Sequence, residues 1–218
     1  MAGWVDGTGN RFPDPFIVIS IISIAKLMLA ASLTMGAQTG DAPGQDSRVD
    51  LGVVYEHPAD AVGQELCFYV QLDGLQESWN PFGTRFVPDR FVKARVWGDR
   101  QRLWDRFDYH NPVGEIFVPL DSRLADKLIG AQRYQRLLCV GSVRYLRCGR
   151  PWIEVTRIYT ARKSVAEGSL LHVIRGAELH ARKAFSMARD EYARAITPEL
   201  PKAVRLELEG FIKVCRAE

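Results

Sequence analysis

The sequence predicts a mainly β fold with α-helical additions, and three observations carry that prediction. Between Glu65 and Ala161 the chain holds five strand-like runs separated by Gly-, Asn- and Pro-containing loops. One short apolar stripe of helical spacing, Arg123 to Gln132, falls between the third and fourth runs. From Ser169 onward the apolar period changes to three and four residues, which predicts a C-terminal helical hairpin over 166–218. A chain of 218 residues, 47% hydrophobic and 25% charged, is long enough to bury an ordinary core and carry appendages.

The amino terminus reads as an address. Phe16–Ala37 is an apolar run broken only by Lys26. About 20 apolar residues at ~1.5 Å each cross a bilayer core, so residues 1–37 read as a hydrophobic transmembrane anchor or a signal peptide. Small residues near its far end (Ala30, Ala31, Ser32, Gly36, Ala37) suit a signal peptidase. The lead-in carries one base against two acids, a poor signal-peptide start, which leaves an uncleaved anchor or a start residue further downstream. A buried core helix is the remaining alternative. The address expected is the cell membrane, single-pass with the C-terminal part outside the cytoplasm, or a periplasmic or secreted location. Residues 38–59 begin with QTGDAPGQDSR and read as a flexible linker.

Charge separates few function classes. Residues 1–48 hold three bases and four acids, leaving 26 bases against 22 acids in the remainder of a chain of net +3. That surplus permits anion contact and is far below the basicity of a dedicated nucleic-acid binder.

The strands follow from period-2 alternation. In Glu65–Leu72 the residues Leu66, Phe68, Val70 and Leu72 share one face. Leu75–Arg90 is a long loop carrying Trp79, Phe82 and Phe86. In Phe91–Trp97, Val92, Ala94 and Val96 point inward, with Phe91, Lys93, Arg95 and Trp97 outward. Residues 98–112 form a second loop or a short helical turn. Ile116, Val118 and Leu120 set the third strand, and Asp121 or Ser122 is placed to cap the helix whose Leu124, Leu128 and Ile129 form a stripe. Tyr134–Ala161 is a hairpin turning at Cys148-Gly149-Arg150-Pro151. Gly141 predicts a bulge or bend within it. Ile153 and Val155 are in phase and Ile158 is not, which predicts an irregularity near Thr156-Arg157.

This order, with Val62-Gly63-Gln64-Glu65-Leu66, Val140-Gly141-Ser142-Val143 and Gly149-Arg150-Pro151-Trp152-Ile153 as its carriers, resembles the OB-fold over residues 60–163. That fold is a five-stranded Greek-key barrel with a helix between strands three and four. The pattern is similar to small exported bacterial OB-like domains as well as nucleic-acid-binding ones; a small SH3-like barrel or a β-roll is the alternative. The resemblance implies a ligand on the outer face of strands two and three, flanked by the loops after strands one and four. The residues so implied are Phe91, Lys93, Arg95, Trp97 and Phe117, with Trp79, Phe82 and Arg85 from the first loop. Arg144, Arg147, Arg150 and Trp152 come from the last hairpin. Rings beside cations suit stacked bases and phosphates. The same alternation also makes an ordinary solvated strand face, with Lys and Arg stems lying over the rings.

Enzyme readings find no carrier. His57, His110, His172 and His180 are scattered, and neither G-x-S-x-G nor a phosphate-cradling glycine loop occurs. Asp105, Asp108 and His110 read as a polar surface loop rather than a metal site. We expect a non-enzyme with no cofactor and no metal. Cys67, Cys139, Cys148 and Cys215 contain no C-x-x-C; oxidised, they allow three pairings, and buried free thiols are the alternative.

In the tail, Ile174, Ala177, Ala181, Ala184, Ala188, Tyr192 and Ala195 predict one helix with an alanine-rich seam. Thr197–Pro201 breaks it, and Val204, Leu208, Phe211 and Cys215 stripe a second helix. The tail either docks on the barrel or serves as a partner contact. The function expected is therefore a membrane-anchored or secreted non-catalytic binding module for a peptide, protein or glycan. The alternatives are a single-stranded nucleic-acid-binding OB protein and a scaffold whose helical hairpin makes the contact.

Overall fold

The computed structural model of the chain describes residues 48–80 and 85–218. The apolar run Phe16–Ala37, the linker up to residue 47 and Phe82 lie outside the described residues. Among the described residues no helix is long and apolar enough to cross a membrane.

In chain order the elements begin with α1 (Leu51–Glu56), a 3-10 turn (Pro58–Ala61) and β1 (Glu65–Gln76). Next come β2 (Phe91–Gly98), α2 (Arg106–His110), β3 (Gly114–Pro119) and α3 (Arg123–Ile129). β4 (Arg136–Arg147), β5 (Arg150–Thr160), α4 (Glu167–Ala181), α5 (Phe185–Ala195) and α6 (Lys202–Ala217) complete it. The five strands close a barrel in the order β1-β2-β3-β5-β4, with only the β3–β5 pair parallel. This closed mixed barrel is consistent with an OB-like fold, with α3 in its expected place between β3 and β4.

Alternation fills the interior as predicted. Leu66, Phe68, Val70, Leu72, Ala94, Val96, Ile116, Val118, Ile153 and Val155 share one buried core. Three bulges decide which residues reach the outer face. In β1 the register shifts between Leu72 and Gly74, so Asp73 is the extra residue and projects toward Arg95. Between β4 and β5 a shift at Val140/Gly141 leaves Thr156 extra, which returns Ile158 to the core. Both irregularities expected in that hairpin are therefore present. A further shift between Val143 and Tyr145 leaves Arg144 extra and turns Tyr145 outward, opposite Trp152.

Part of the expected linker belongs to the barrel instead. Asp50 caps α1 by accepting from the Gly52 N–H at 2.7 Å, and Leu51, Val54 and Ala61 enter the barrel core. Their burial makes this stretch a plug for one barrel end. In α3 the buried residues are Ala125 and Leu128, while Ile129 is exposed. Ser122 precedes that helix without capping it; its Oγ donates to the Pro119 carbonyl at 2.6 Å.

The tail holds three helices where the seam predicts two. The predicted first helix divides at Lys183, whose φ of 60° places it in the left-handed region and ends α4. α4 then folds back against α5. Leu170, Val173, Ala188, Tyr192 and Leu208 build a second core with Trp97, Leu103, Trp104 and Tyr134 of the barrel side. The tail therefore docks on the barrel, and the Arg102–Glu207 ion pair at 2.8 Å ties the loop after β2 to α6. Gly176 faces the Tyr192 ring, and a Cβ there would stand 2.7 Å from it; Gly210 of α6 has open space at the same point. Gly210→Ala should stabilise the protein by about 1 kcal/mol through helix propensity. Gly176→Ala should destabilise it by about 1–3 kcal/mol, because a buried ring must move. Chemical denaturation of the two variants checks this opposition of sign.

Candidate ligand-binding groove

The outer face of β2, β3 and β5 begins as a row of rings and cations, as alternation dictates. The chain then covers much of it. Phe86, from the loop after β1, has no exposed surface and sits against four rings. Its centroid lies 4.6 Å from Phe117, 4.7 Å from Phe91, and 5.7 Å from both Tyr145 and Trp152. Trp152 stacks on Phe117 at 4.8 Å and 9°. Trp79 meets Phe117 edge-on at 6.1 Å, and its indole N–H donates to the Phe86 carbonyl at 2.8 Å. The two ends of the first loop are thus tied to each other over the sheet. Arg85 fastens the loop to the hairpin, where the Glu154 carboxylate takes it at 3.1 Å and Arg144 at 2.9 Å.

The sequence-derived site residues consequently separate into groups. Phe117 is buried, and Phe91, Trp79 and Trp152 are half-buried in the ring cluster. Lys93 is only 7% exposed; its ammonium pairs with Glu115 at 2.7 Å and lies over the Trp79 and Phe117 rings. Trp97 leaves this surface altogether. It is buried between Tyr109 and Tyr134 under Arg133, donates its indole N–H to the Tyr109 carbonyl, and anchors the helical tail. Arg85, Arg95 and Arg150 remain exposed, and Phe82 lies outside the described residues.

What stays open is a groove of about 400 Å³ at one end of this face. Asn80 of the first loop, Arg95, Glu115 and the hairpin residues Arg147, Cys148, Arg150 and Trp152 line it, with Tyr55 at its base. Of the twelve expected residues, the structure brings four into this groove: Arg95, Arg147, Arg150 and Trp152. Tyr55 enters from α1. Its hydroxyl accepts from the Glu115 N–H at 2.8 Å, and burial of the phenol pushes its pKa up to about 12. Its ring lies against Gly114, where any Cβ would collide with it. Nothing in the local pattern around Tyr55 marks it, because the contact spans sixty residues of sequence.

The turn that forms the groove's wall is a two-residue one. Cys148 and Gly149 have φ of 50° and 73°, as a type I′ hairpin turn requires. Arg147 and Arg150 stand directly opposite each other beside it. Cys148 is exposed, and the other three cysteines are buried; all four are free. Cys139 lies on the core side of β4, where burial pushes its thiol up to about 12. The Asp105/Asp108 loop serves structure: Asp105 caps α2, and Asp108 accepts from the Arg102 N–H at 2.9 Å. Among the described residues no group of three or more His, Cys, Asp or Glu is placed to hold a metal ion.

No protein-family model matches the chain, and no curated protein matches it in sequence.

The ring cluster makes a stability prediction. Truncating a fully buried phenylalanine costs about 3–5 kcal/mol. Phe86→Ala should lose stability in that range and expose Phe117, seen as a lower denaturation midpoint and new binding of a hydrophobic dye. A loss under about 1 kcal/mol would mean that the loop does not cover the face.

Proposed function

We propose that the protein is a non-catalytic binding module whose ligand is an extended segment of a partner protein. The segment lies in the groove between the first loop and the β4–β5 turn. The observation that carries this reading is the self-coverage of the aromatic face. Of the rings that would stack on bases, Phe91, Phe117 and Trp152 are packed against Phe86, while the neighbouring groove is open and lined by both polar and cationic groups. A base-binding surface needs free ring faces; here they are spent inside the chain. Residues 16–37 tether the module to a membrane or carry it across one, in line with the resemblance to small exported OB-like domains.

Cys148 gives a direct test on the full chain, because the remaining described thiols are buried. Peptides selected from a displayed random library against the unmodified protein should lose at least about tenfold in affinity once Cys148 carries a bulky maleimide. They should keep full affinity for a Cys148→Ser protein treated in the same way. Selected peptides that bind the modified protein undiminished would place the site elsewhere.

A further inference from the structure

Most cations on the barrel strands pair with a carboxylate, their own or a shared one. Lys93 pairs with Glu115, and Arg95 and Arg133 share Asp73. Arg85 and Arg144 share Glu154, Arg136 takes Asp99 and Arg157 takes Glu65. Arg147 and Arg150 break the pattern. They make no ion pair among the described residues, although they are cross-strand neighbours. Like charges directly opposite on paired strands repel, and no ion pair among the described residues offsets that repulsion. Both line the open groove, beside Arg95. The Glu115 carboxylate that also lines the groove is already held by Lys93.

From this pair we infer that the groove takes an acidic ligand segment, with the two guanidinium groups clamping carboxylates of its side chains. The inference rests on the binding-module reading and names the chemistry of its ligand. Guanidinium groups on neighbouring strands present several N–H donors to one side, the arrangement suited to bidentate carboxylate capture. Charge complementarity fixes the sign, because Arg95 is already paired with Asp73, whereas Arg147 and Arg150 have no carboxylate partner among the described residues. The half-buried Trp152 ring offers an apolar surface alongside for the stems of the bound segment.

The test uses fluorescence anisotropy on the full chain with a short alternating Glu-Ala peptide, its Gln-Ala counterpart and an oligothymidylate of equal length. The Glu-Ala peptide should bind at least about tenfold more tightly than the Gln-Ala peptide, and added salt should weaken it. The double variant Arg147→Gln/Arg150→Gln should lose that preference, whereas Arg123→Gln, at the start of α3 and outside the groove lining, should keep it. The double variant should melt no lower than the parent, because a repulsive pair has been removed; loss of binding then reports the clamp rather than unfolding. Equal binding of both peptides, or undiminished binding by the double variant, overturns the acidic assignment while the groove reading stands on its own test. Tighter binding of the oligothymidylate with the same arginine dependence also overturns it and assigns the site to nucleic acid.

Discussion

The packing of Phe86 onto Phe117 is the contact on which the outer face depends. A phenylalanine from a loop, with no exposed surface, lies against rings from β2, β3, β4 and β5. Each ring buried this way adds to the barrel's stability by removing apolar area from water and by stacking contact. It also decides function by subtraction. A face that alternation fills with rings and cations becomes a second, external core, and the chain's free chemistry moves to the rim.

Two coverings divide that face. The first loop takes Phe91, Phe117 and Trp152, while Trp97 stacks between Tyr109 and Tyr134 and joins the core shared with the helical tail. Between them Asp73 pairs with both Arg95 and Arg133 from a bulge position. The bulge matters because it shifts the phase of the strand beyond Leu72 and sets Gly74, rather than a bulky side chain, opposite Arg95. With those cations paired, the type I′ turn between β4 and β5 is where arginines without a carboxylate partner among the described residues stand beside open space.

The barrel was legible because strand alternation is a local property. Leu66, Phe68, Val70 and Leu72 announce an inward face without help from the rest of the chain, and the phase slip at Ile158 announces a bulge. The site was legible only in part. Alternation tells which side a residue faces and not what lies over that side, so Phe117 and Trp97 read as open surface and are buried. Arg144 carries no signal of a bulge, yet it turns Tyr145 into the ring cluster. Tyr55 sits in a stretch whose composition resembles a linker, and only the distant Gly114 leaves room for its ring. In the tail, the alanine seam runs unbroken through Ala181 and Ala184, and the stop at Lys183 depends on a backbone conformation that the side-chain pattern does not encode.

Hydrogen exchange of the Trp79 indole proton tests the central claim most directly. That proton is donated to the Phe86 carbonyl and holds the first loop closed over the sheet. The account predicts exchange well slower than that of a free indole, slowed further when the groove is occupied. Exchange at the free-indole rate would show an open loop and free rings, and the ligand surface would then be the aromatic face rather than the arginine-lined groove.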